Sequence, residues 1–63
     1  MTQPLLFTLM SRLTAEARQK LGERRRELKA REGVEERLVE AQKGEWHLEY
    51  WRGQEKIEVI PLL

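Results

Sequence analysis

The sequence predicts an α+β domain, in which a long amphipathic N-terminal helix, unbroken or broken near Gly33, is followed by a C-terminal antiparallel β-hairpin. Two observations define the elements. At 100° per residue Leu6, Leu9, Met10, Leu13, Ala17, Leu21 and Leu28 fall within one arc of about 120°, the stripe of an amphipathic helix. Beyond Gly44 the apolar period drops from helical spacing to alternation, in "EWHLEYWRGQEKIEVIPLL". A chain of 63 residues then makes a single small domain, 1–63, with a helical part over about 4–43 and a hairpin over about 45–61.

The helix has three candidate starts. Thr2 can cap it with Pro4 tolerated in the first turn, or it can begin at Ser11 or at Thr14, both good N-caps. Arg31 followed by Gly33 reads as a basic last turn and a left-handed stop, after which Val34 to Lys43 forms a second short helix ending at Gly44. Crossing Gly33 instead costs about 1 kcal/mol and gives one helix to Lys43.

In the hairpin an even loop, either Gly53-Gln54 or Arg52 to Glu55, pairs Tyr50 with Ile57 and Leu48 with Val59. One face is then Trp46, Leu48, Tyr50, Ile57 and Val59, which should lie on the helix stripe. The other carries His47, Glu49, Trp51, Lys56, Glu58 and Ile60, with Lys56 against Trp51 and Glu49 opposite Glu58.

Charge is divided along the chain. From Ser11 to Arg31 there are eight basic and three acidic residues, and from Glu32 to Leu63 four basic and eight acidic, so a basic half joins an acidic half although the net charge is only +1. On the helical wheel Arg18, Arg25 and Lys29 line one flank of the apolar stripe, and Glu16, Glu23 and Glu27 line the other. Two parallel copies of such a helix would set opposite charges face to face. A chain this short buries little surface and has no cysteine for a disulfide or thiolate metal site, so self-association, a homodimer first, is the expected support.

The run "ERRRELKARE" has three readings: the solvated side of a helix, a grip for nucleic-acid phosphates, or specific arginine chemistry. Arg24 and Arg31 differ from the rest because they fall on the otherwise apolar stripe, where an arginine snorkels or meets a partner. Candidate contact residues are therefore Arg18, Arg24, Arg25, Arg26, Lys29 and Arg31, together with Trp51 on the solvent face of the hairpin. The order of "LFTLMSRLTAEARQKL", a glycine and a second helix is similar to that of ribbon-helix-helix repressors, which implies DNA binding. It departs from them in two ways: "PLLFTLM" does not alternate like their DNA-reading strand, and the first helix is about a turn too long.

No motif carries a reaction. His47 shares its expected face with Glu49 and Glu58, a conceivable metal or acid-base group but more ordinarily surface residues. Ser11 is the only serine and has no histidine near it in sequence, and no glycine-rich phosphate loop exists. No stretch has the roughly 18 apolar residues of a membrane span. The expectation is a small cytoplasmic protein, not an enzyme and without a cofactor, that self-associates through its helix stripe and binds a macromolecular partner. The alternative is a DNA-binding transcriptional regulator or antitoxin-like protein using the basic helix face.

Overall fold

The computed structural model describes residues 4–62 and is α+β, two short helices on one face of a three-stranded antiparallel sheet of order β1-β2-β3. The helices are α1, Pro4–Met10, and α2, Ala15–Lys29; the strands are β1, Val34–Gln42, β2, Glu45–Arg52, and β3, Glu55–Pro61.

The expected long helix is divided by side-chain hydrogen bonds. Ser11 does not cap a following helix; its hydroxyl donates back to the Thr8 carbonyl at 2.7 Å, at the end of α1. Thr14, in extended geometry, caps α2 by accepting from the Ala17 amide at 3.1 Å, with Glu16 in the first turn. Thr2, the third candidate cap, lies outside the described residues. At the other end α2 closes at Ala30 in right-handed geometry, so Arg31 lies beyond the last turn and Gly33, at φ of 80°, turns the chain into the next element instead of capping the helix.

Beyond Gly33 the structure corrects the sequence reading. Val34 to Gln42 is a strand, not a second helix, and the hairpin becomes a three-stranded sheet. The spacing of Val34, Leu38 and Val39 imitates a helix because the intervening inward position of the strand is filled by a charged residue, Glu36, which is half-buried. With β1 as a strand no helix follows Gly33, and PLLFTLM is helical, so the strand-helix-helix order of the ribbon-helix-helix repressors is not found among the described residues.

The second hairpin closes through Gly53 and Gln54, with Gly53 at φ of 62°, and sets Arg52 against Glu55 and Trp51 against Lys56 as expected. A bulge then shifts the register by one residue between Tyr50 and Trp51. Tyr50 pairs with Glu58 instead of Ile57, Leu48 with Ile60 instead of Val59, and Glu49 faces Val59 instead of Glu58. The like-charge pair is avoided, Glu58 and Ile60 move to the helix side, and Val59 moves to the open side, where it is 44% exposed.

The core sits between the layers: Leu6 and Leu9 of α1, Leu21 and Leu28 of α2, Leu48 and Tyr50 of β2, and Leu62, with Met10, Leu13, Val34, Leu38, Trp46, Ile57 and Ile60 around them. The apolar stripe of α2 is therefore spent on the chain's own sheet. α1 is apolar on its outer side as well, leaving Leu5 44% and Phe7 76% exposed.

Leu28, with no exposed surface, should lose about 2–5 kcal/mol of stability on replacement by alanine. Gly22 lies inside α2, and a Cβ added there meets nothing within 4 Å, so Gly22→Ala should raise stability by about 1 kcal/mol through helix propensity alone. Urea denaturation of the two variants checks both signs; a loss at Gly22→Ala would show that the glycine is required by the fold.

Candidate functional site

The arginine run is divided between the two edge strands. Arg25 donates from Nε and one terminal nitrogen to both carboxylate oxygens of Glu36 on β1, at 2.7 and 3.0 Å. Its neighbour Arg24 does the same to Glu58 on β3, at 2.8 and 2.5 Å, and also reaches Glu27 at 2.7 Å. Consecutive helical residues point 100° apart, which lets adjacent arginines straddle the sheet. Between them lies Tyr50, fully buried on β2 and paired in register with Glu36 on one side and Glu58 on the other. Its hydroxyl donates to Glu36 at 2.5 Å, and Lys29 stands 3.6 Å from the same carboxylate. One cross-strand row, Glu36-Tyr50-Glu58, is thus clamped from above by two fork-shaped cations.

The electrostatics follow from these contacts. Burial raises the pKa of Glu36, but hydrogen bonds from Arg25 and Tyr50 and the charges of Arg25 and Lys29 outweigh it, leaving the carboxyl below its ordinary value. The Arg24 hydrogen bond holds Glu58 below its ordinary value, helped by the charge of Arg31. Burial, with the bond to Glu36, pushes the Tyr50 phenol up.

The expected contact residues thus separate into two groups. Arg24, Arg25 and Lys29 are engaged by the sheet; Arg18 gives one N–H to the Leu13 carbonyl at 3.3 Å, and Arg31 is exposed near Glu58. Arg26, the third of the run, is exposed and makes no ion pair among the described residues. Glu36 was not singled out by the sequence, and Glu58 was placed with His47 and Glu49 on the solvent face; the signal for an inward partner was Arg24 lying on the apolar stripe.

Trp51 belongs to a different surface. The sheet face away from the helices is uncovered, and along its central strand His47, Glu49 and Trp51 point outward, joined by hydrogen bonds from His47 and from the Trp51 indole to Glu49 at 2.8 and 2.9 Å. These bonds, with Lys56 at 3.6 Å, hold Glu49 below its ordinary pKa. Arg37 on β1 and Lys56 on β3 lie over the Trp51 ring, at 4.7 and 5.7 Å from its centre. Arg37, which the sequence did not single out, is placed there by β1 being a strand. Val39, Val59 and Pro61 complete the face at its other end. The bulge carries Glu58 to the opposite face from His47 and Glu49, and no group of three acidic or histidine side chains able to hold a metal occurs among the described residues.

No protein family matches this chain, and no curated protein and no solved structure is significantly similar to it.

The lowered carboxylates make the fold sensitive to acid. A group whose folded pKa is depressed stabilises above its unfolded value, here about 4.5, and that contribution is lost as pH falls through the folded value. Stability should therefore be lower in acid, below about pH 4.5, than at pH 7, and Glu36→Gln should be destabilised at pH 7 while losing less on acidification. Denaturation midpoints at the two pH values check this; equal acid sensitivity in both proteins contradicts it.

Proposed function

We propose that the protein is a small non-enzymatic interaction module that binds a macromolecular partner, in a regulatory or adaptor role, through the open face of its sheet. The observation that carries this reading is the Trp51 assembly. An indole fixed by Glu49 and bracketed by Arg37 and Lys56 is a rigid aromatic and cationic anchor, of the residue types that dominate binding energy at protein interfaces. Because it is already held in place, little side-chain entropy is lost on docking. The stripe of α2, the expected surface for self-association, is covered by the sheet at Leu21 and Leu28. Self-association then falls to the apolar surface left open, Leu5 and Phe7 of α1 and the groove of about 510 Å³ between α2 and β3 that Leu13, Ala17, Ile60 and Leu62 line.

The test is recovery of partners from native lysate on the tagged protein, with and without nuclease, beside Trp51→Ala and Arg26→Ala. A partner retained at physiological salt after nuclease, lost with Trp51→Ala and kept with Arg26→Ala, is the expected result. Recovery indifferent to Trp51→Ala contradicts the reading.

A further inference from the structure

The outer flank of α2 is a separate surface, on the layer opposite the open sheet face. Arg18, Gly22, Arg25, Arg26 and Lys29 fall within one arc of about 100° on the helical wheel, and all three glutamates of α2 lie outside it. Gly22, Arg25, Arg26, Lys29 and Ala30 line a shallow groove of about 600 Å³ there. We propose that this flank is a second binding site, one that takes the phosphate backbone of a nucleic acid.

Which cations are free decides the chemistry. Arg25 is spent on Glu36, and Lys29 stands 3.6 Å from a carboxylate that Arg25 and Tyr50 already hold. Arg18 uses a single side-chain N–H on the Leu13 carbonyl, and the Arg26 side chain forms no ion pair or hydrogen bond among the described residues. Arg18, Arg26 and Lys29 therefore keep donors for an anion, and guanidinium forks match phosphate oxygens two at a time. From Arg18 to Lys29 the helix rises about 16 Å, roughly the rise of five nucleotides along one strand of a duplex.

Gly22 is the independent observation. Its backbone is helical, a Cβ there would meet no atom within 4 Å, and so nothing inside the molecule requires a glycine in the middle of α2. On the floor of a cationic groove, a missing side chain admits a phosphate close to the helix backbone. An anionic bilayer fits less well, since among its described side chains α1 offers only Leu5 and Phe7 as large exposed apolar groups for insertion.

Fluorescence anisotropy of a short labelled duplex DNA, with phosphatidylserine–phosphatidylcholine vesicles as a second probe, tests the site. Three phosphate contacts give a log–log salt slope of about −3, and Arg26→Ala should weaken binding about tenfold at roughly 50 mM salt and move the slope toward −2. Gly22→Leu, which changes no charge, should weaken binding without lowering the melting temperature. Trp51→Ala should leave DNA affinity unchanged, which keeps this site distinct from the sheet face. Absence of DNA binding at 50 mM salt, affinity indifferent to both Arg26→Ala and Gly22→Leu, or binding to vesicles in place of DNA overturns the proposal.

Discussion

Two glutamates face the interior of a molecule too small to hide a charge, and the architecture is arranged around compensating them. Glu36 and Glu58 flank Tyr50 in one cross-strand row beneath α2, and Arg25 and Arg24 descend from the helix to meet them. An unpaired carboxylate there would be expensive, and a pair with its hydrogen bonds satisfied about breaks even against an apolar replacement. What the row supplies is position. A helix resting only on leucines can rotate or slide at little cost, whereas two bidentate pairs on opposite edge strands fix its angle and its height over the sheet.

The same row explains what could and could not be read from the sequence. The α2 stripe, the stop near Gly33, the Gly53-Gln54 turn and the inward face of Trp46, Leu48 and Tyr50 were legible because apolar residues occupy the positions that face inward. β1 was read as a helix because its central inward position is Glu36, which removes the alternation that marks a strand. β3 was given the wrong register for the same reason. Apolar patterning favours Ile57 opposite Tyr50, but the bulge brings Glu58 there, within reach of Arg24. Both errors come from a charged residue in an inward position whose compensation lies on another element.

The arginine triplet likewise resolves into different tasks. Arg24 and Arg25 reach down to glutamates of the sheet, Arg24 from a partly exposed position, and Arg26 points to water with no ion pair among the described residues. The basic half and the acidic half of the chain become the helix layer and the sheet layer, and their opposite signs meet across the interface. What is left over on each outer surface differs in kind. The sheet offers a fixed tryptophan between two cations, and the helix layer offers a strip around Gly22 that carries none of the glutamates of α2.

The central claim is that the helix is held to the sheet by the Arg24 and Arg25 clamps. A double-mutant cycle on Arg25→Met and Glu36→Gln measures it most directly, because each single variant leaves its partner's charge half-buried while the double variant leaves neither. The single losses should sum to more than the double loss, with a coupling of about 1–3 kcal/mol, and Arg26→Ala should change stability by less than about 0.5 kcal/mol. Additive losses at Arg25 and Glu36, or a loss at Arg26 as large as that at Arg25, would contradict it.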